Sequence, residues 1–177
     1  MKKRTVIAIV LMVVLFTTIW AQTEEDFTVI LTRDGQGVTI NRYTGTVRAV
    51  HIPATIQGMP VRHITASFRD SRITSVVIPE GVVSITGFDG CSFLTSVTLP
   101  QSLTSIGENA FRNCTSLTSI TLPESLTFIG REAFARCTSL TSVTFPQGLT
   151  TIEQSAFRYC TSLASVTLRR VLLLSNS

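Results

Sequence analysis

The sequence predicts a solenoid of the α/β class, built from 23-residue units. Short parallel β-strands are expected on one face and short helical or 3-10 turns on the other. Three observations carry this prediction. First, Leu99-Pro100, Leu122-Pro123 and Phe145-Pro146 recur every 23 residues, and Cys91, Cys114, Cys137 and Cys160 keep the same interval. Second, Ser119-Ile120-Thr121-Leu122 alternates polar and apolar residues and ends at a proline. That is the pattern of a short strand with Ile120 and Leu122 inward. Third, Ile106, Ala110, Phe111, Cys114 and Leu117 follow the 3- and 4-residue spacing of one helical face. Each unit then carries one buried phenylalanine, so Phe68, Phe88, Phe111, Phe134 and Phe157 are expected to form an internal column.

Taken in order, the chain opens with Lys2, Lys3 and Arg4, an uncharged apolar run from Val6 to about Trp20, and Ala21 before an acidic stretch. This order reads as a Sec signal peptide over residues 1–21. A retained anchor helix is the alternative, but the run is about 15 residues and a bilayer needs about 20. Residues 22–49 are expected to hold a capping hairpin and the start of the first strand. Val29 and Leu31 lead into a turn at Arg33-Asp34-Gly35-Gln36-Gly37, and Val38 and Ile40 follow it. Repeats occupy residues 50–168. The three units from Leu99 are nearly regular, and two upstream units are degenerate. The unit from Ile78 lacks two residues between Ile85 and Cys91. The unit from Ile52 carries five extra around Gly58-Met59-Pro60, with Asp70 in the cysteine position. Residues 169–177 form an irregular tail, with Arg169 where proline is expected. Val171 to Leu174 would either fold over the last layer as a cap or mark a truncated array whose open end favours self-association.

The chain of 177 residues has a formal charge of +4 and a pI near 9.2. Removal of residues 1–21 leaves 12 arginines against 11 acidic residues and no lysine. No clustered basic face survives, which excludes a nucleic-acid footprint. Four cysteines in an exported chain ordinarily signal disulfides. Here identical spacing puts them in a ladder with side chains pointing the same way, which is poor disulfide geometry. A ladder also cannot surround one metal ion. Packing thiols are therefore expected. His51 and His63 are the only histidines, and no nucleophile-base set or phosphate-binding glycine loop accompanies them. Glu108 with Arg112, and Glu132 with Arg136, are expected as ordinary i,i+4 pairs. The sequence thus offers no catalytic, cofactor-binding or metal-ligating set, and an enzyme is the poorest reading.

The outward strand positions are more informative. They read Ser75 and Val77, Ser96 and Thr98, Ser119 and Thr121, Ser142 and Thr144, Ser165 and Thr167, with His51 at the N-terminal end. Stacking would turn them into two hydroxyl rows on one flat or concave surface, while Arg112, Arg131, Arg136 and Arg158 fall on the opposite side. Such rows offer many donors and acceptors at low side-chain entropy. They suit an extended protein segment or a glycan. Soluble, strand-compatible filler is the alternative for any one residue.

The motif LPxxLTxIxxxAFxxCTSLTSVT is similar to the BspA-like, Treponema-type class of leucine-rich repeats found on bacterial surface and secreted proteins. Gly107 and Gly130 add to the match, and Glu153 departs from it. The segment from Asp26 to Val61 resembles that family's N-terminal cap and first unit, so the similarity spans about residues 26–168. The resemblance implies a non-enzymatic, adhesin-like protein. Its expected location is the periplasm, the cell surface or the medium, and its expected partners are host matrix proteins or other cells. A structural solenoid that assembles with itself is the second reading, and a lattice or glycan binder using the Ser/Thr ladder is the third.

Overall fold

A 23-residue unit this short buries its apolar side chains only by stacking on its neighbours, and stacking organises the whole molecule. The computed structural model describes residues 23–68 and 72–169. The expected leader, Asp70, and Arg170 through Leu174 of the tail therefore lie outside the described residues.

A single 3-10 turn, Glu24–Asp26, precedes the strands. The first seven strands are β1 (Phe27–Leu31), β2 (Val38–Tyr43), β3 (Ala49–His51), β4 (Thr55–Ile56), β5 (Met59–Ser67), β6 (Ser75–Val77) and β7 (Ser84–Ile85). Next come β8 (Ser96–Thr98), β9 (Ser105–Ile106), β10 (Ser119–Thr121), β11 (Phe128–Ile129), β12 (Ser142–Phe145), β13 (Thr151–Ile152) and β14 (Ser165–Leu168).

Each repeat contributes two strands rather than one. The expected face is formed by β3, β6, β8, β10, β12 and β14. A second, continuous sheet runs β1-β2-β5-β7-β9-β11-β13 and is parallel from β2 onward. β1 and β2 pair antiparallel across the Arg33–Gly37 turn, and within this hairpin Val38 and Ile40 are buried while Leu31 is exposed. The extra residues near Gly58 make a second hairpin of β4 with β5, its two-residue turn holding Gln57 and Gly58 at positive φ.

The expected helical turns are absent from the described repeats. Between Gly107 and Leu117 the chain instead links successive tight turns. Ala110, Arg112 and Cys114 donate N–H bonds to the carbonyls of Gly107, Asn109 and Phe111 within the unit. Asn109, Phe111 and Asn113 donate to Arg131, Ala133 and Ala135 of the next unit at 2.7–3.0 Å. This alternation forces left-handed backbone at Asn109 and Asn113. A helix would spend every amide on its own turn; this arch uses half of them to hold its neighbour. The difference also corrects the charge pairs, because Arg112 meets Glu132 of the next unit at 3.6 Å rather than Glu108.

The core is the expected column. Rings of Phe68, Phe88, Phe111, Phe134 and Phe157 stack with centroids 4.6–5.3 Å apart. Tyr43 and Phe27 extend it through the hairpin at 5.1 and 5.4 Å. Beside the column, the four cysteines are thiols rather than disulfides, and Cys91, Cys114, Cys137 and Cys160 each donate to the carbonyl of a phenylalanine in the preceding unit. Burial pushes the Cys137 thiol up to about 12 and raises Cys114 as well. Corner threonines add a side-chain rung. Thr104, Thr127 and Thr150 hydroxyls donate to Val83, Thr104 and Thr127 carbonyls at 2.9–3.1 Å.

Candidate binding face

The face strands place the expected residues side by side. One row runs Ala49, Ser75, Ser96 and the next His51, Val77, Thr98. Beyond them Ser119 pairs with Ser142 and Ser165, and Thr121 with Thr144 and Thr167. The alternating strand pattern buries Val50, Val76, Ile120 and Val143 while His51 and all residues of the later Ser and Thr rows stay exposed. Ser75 and Val77 are half-exposed. Among the described residues, no row hydroxyl has a protein hydrogen-bond partner, in contrast to the corner threonines. These groups are available to a ligand.

The rows are interrupted once. β3-β6-β8 and β10-β12-β14 are separate sheets, with no ladder between β8 and β10. Elsewhere on the face each unit is tied to the one before. Thr95 N–H donates to Thr74 O at 2.8 Å, Thr141 to Thr118 at 3.1 Å and Ala164 to Thr141 at 3.0 Å. The Thr118 to Thr95 member of this series is missing among the described residues. Ser75 to Ser96 spans 21 residues, whereas Ser96 to Ser119 spans 23. The shorter unit ends at the strand where the ladder lapses, and β8 and β10 still run side by side without pairing. On the second sheet the matching bonds from Thr104, Thr127 and Thr150 are all made.

The remaining chemistry-bearing residues lie away from this face. His63 sits on β5, its Nδ1 2.7 Å from the Ser84 hydroxyl across the second sheet. Arg136 and Arg158 lie over the Tyr159 ring at 5.6 and 4.6 Å, on the side of the turns. The Thr32 hydroxyl and Gln36 N–H hold the Asp34 carboxyl below its usual range within the hairpin turn. Among the described residues, no group of His, Cys, Asp and Glu side chains is placed to hold a metal ion, and no helix is long and apolar enough to cross a membrane.

With these stacked units in place, the BspA type leucine rich repeat profile matches residues 64–174 in six copies. The chain belongs to the BspA-type leucine-rich repeat family. Among solved structures it is similar to the leucine rich repeat protein of T. pallidum, with 35% identity and a TM-score of 0.76 over 83% of this chain and 71% of that one. A leucine rich cell surface protein from Faecalibacterium prausnitzii shares 34% identity and a TM-score of 0.73, covering 87% of this chain and 44% of that one. A leucine-rich repeat protein from Bacteroides ovatus shares 30% identity and a TM-score of 0.70, over 84% and 41%. This chain thus spans less than half of the latter two. A search of curated proteins finds no match.

Proposed function

We propose that this BspA-type chain is an exported, non-enzymatic binding protein that recognises an extracellular protein through its Ser and Thr rows. The observation that carries the reading is the set of exposed row hydroxyls, in register across successive units and without partners in the protein. Their chemistry suits hydrogen bonding to an uncharged surface, and short side chains lose little entropy on binding. Kinship with a cell surface protein supports a location outside the cytoplasm. The leader-like residues 1–21 support export. The test is capture of the chain lacking residues 1–21 on immobilised extracellular matrix proteins and on glycan arrays. Saturable protein capture, lost in Ser119→Glu and Thr121→Glu, is the expected result. Capture by glycans alone would reassign the rows to carbohydrate.

A second reading is assembly of copies through the last described turn. There Ile152, Val166 and Leu168 are 45%, 53% and 71% exposed, although Ile129, Val143 and Phe145 at the same places in the preceding unit are buried. Sedimentation at increasing concentration checks it: growth of oligomers that Leu168→Glu abolishes favours assembly, and a concentration-independent monomer removes it.

A further inference from the structure

The lapse in pairing between β8 and β10 has its own chemistry. Val97 is half-exposed, whereas its counterparts Val76 and Val143 are 1% and 2% exposed. Beside it lies a hollow of about 210 Å³ lined by Val97, Thr98, Leu99, Gln101, Thr121 and Pro123. The hollow shares Gln101, Thr121 and Pro123 with a second one of about 370 Å³ that passes over Leu122 to Pro146. At the other end of the seam, Phe93 stands 54% exposed where the later units carry Ser116, Ser139 and Ser162.

We propose that this seam anchors one apolar side chain of an extended, uncharged polypeptide segment that lies across the Ser and Thr rows. The proposal rests on those rows being the binding face. The shape of the site argues for a segment rather than a small molecule, because two hollows adjoin along the direction in which the units stack. Charge complementarity argues for an uncharged one. No formal charge lines the first hollow, and in the second Glu124 and Arg169 neutralise each other as an ion pair. A charged side chain entering there would lose hydration without gaining a partner. The lapsed bond at the corner entering these strands argues for peptide amides. Where the ladder lapses, the Thr118 N–H and the Thr95 carbonyl remain without the bonds made at every other step of the face, and a peptide backbone supplies both complements. Phe93 then offers an exposed ring at the corner entering β8, the residue type on which binding energy concentrates.

The probe is a terminally blocked pentapeptide alternating threonine and leucine, titrated into the chain lacking residues 1–21 and followed by backbone amide NMR. Expected are shifts centred on Thr95, Val97, Thr118 and Thr121, with Val97→Phe weakening binding about tenfold or more by filling the hollow. Gln101→Trp, altered at an exposed position that lines both hollows and lies outside the rows, gives the same readout should Val97→Phe fail to fold. Absence of those shifts overturns the anchor, as does Thr118 amide exchange as slow as that of Thr141, which would mean a closed seam. Ser142→Arg separates this proposal from the broader one, since Ser142 lies in a row but lines neither hollow. Loss of probe binding in Ser142→Arg with no change in Val97→Phe overturns the anchor and leaves the binding face standing. Loss in both supports the anchor. Loss in Val97→Phe alone keeps the hollow as a site but overturns the course of the segment across the rows.

Discussion

Ile129 and Ile152 hold the same place in successive units, yet the first is 0% and the second 45% exposed. Val143 and Val166 differ likewise, at 2% and 53%, as do Phe145 and Leu168, at 6% and 71%. The units carry near-identical motifs, so the difference lies in their neighbours. An inner unit is covered on both sides; among the described residues, the last one is covered on one. Burial in this protein is therefore a property of the stack, and stability should be distributed as a chain of nearest-neighbour interfaces.

Truncating the aromatic column breaks this comparison most severely. Phe111 is fully buried between Phe88 and Phe134, with centroids 5.3 Å away on each side. Phe111→Ala leaves a cavity contacting two interfaces and should cost about 3–5 kcal/mol. Phe157, half-buried at the end of the column, stacks on Phe134 and meets Phe145 edge-on. Phe157→Ala should cost about 1–2 kcal/mol, because its site is already partly open to water. Urea denaturation of the two variants measures the difference, and equal losses would mean that the last turn is as firmly enclosed as the middle.

The thiol ladder sharpens the same contrast through pH. Burial raises Cys114 and Cys137 from an ordinary 9.0, Cys137 to about 12, while the half-exposed Cys160 is also raised. In the unfolded chain these thiols ionise from about pH 9 upward, whereas the folded chain keeps them protonated. The unfolded state then binds fewer protons, so the stabilising effect is complete below pH 9 and declines as pH climbs toward the folded value. The slope is about 1.4 kcal/mol per pH unit for each of Cys114 and Cys137. Denaturation midpoints from pH 8 to 11 should fall accordingly, and Cys137→Ala should flatten the fall. In the native protein a thiol reagent should modify Cys160 first and the inner thiols only on unfolding.

The column, the thiol ladder and the outward rows were legible because each depends on a strict period: 23 residues between units and two within a strand. The second sheet was not. Its strands at Ser105–Ile106 and Phe128–Ile129 are two residues long, too short for alternation to register. The arch after them imitates a helix because Ile106, Ala110, Phe111 and Cys114 fall at 3- and 4-residue spacing in either structure. Asn109 and Asn113 hinted at left-handed backbone, but Glu132, Arg136 and Tyr159 adopt it too and give no such hint. The seam left two traces in the sequence, the missing pair of residues before Cys91 and the phenylalanine at Phe93. Neither points to a lapsed ladder until the pairing of β8 and β10 is known.

Glycines where units touch give a smaller but more discriminating effect. A Cβ on Gly130 would lie 2.7 Å from the Gly107 carbonyl carbon and the Glu108 nitrogen, and backbone of this kind cannot turn aside. On Gly107 it would meet the Thr86 methyl instead, the end of a side chain that can rotate. Gly130→Ala should therefore cost about 1–3 kcal/mol by overpacking, and Gly107→Ala less. At the last described turn the same position is Glu153, whose carboxylate accepts the Arg131 N–H at 2.9 Å. Thermal melts of the two alanine variants test the order, and a larger loss at Gly107 would show that Thr86 is locked.

The smallest expected effect comes from the outer side of the last described turn. Tyr159 is 53% exposed, with the Arg158 guanidinium over its ring and donating to its hydroxyl at 2.7 Å. Arg136 approaches the same ring from the preceding unit, whose N–H at Arg136 donates to the Arg158 carbonyl at 2.7 Å. The ring thus clasps two units from outside, where inner units are joined by buried side chains. Exposed cation–π contacts contribute about 0.5–1 kcal/mol each, so Tyr159→Leu should scarcely move the global denaturation midpoint. Its effect should appear locally, as amide exchange at Arg136 and Cys160 quickened several-fold while Phe111 and Asn113 keep their protection. Uniform acceleration along the stack would instead mean that the units open together, and the nearest-neighbour account of their stability would have to yield to a single cooperative one.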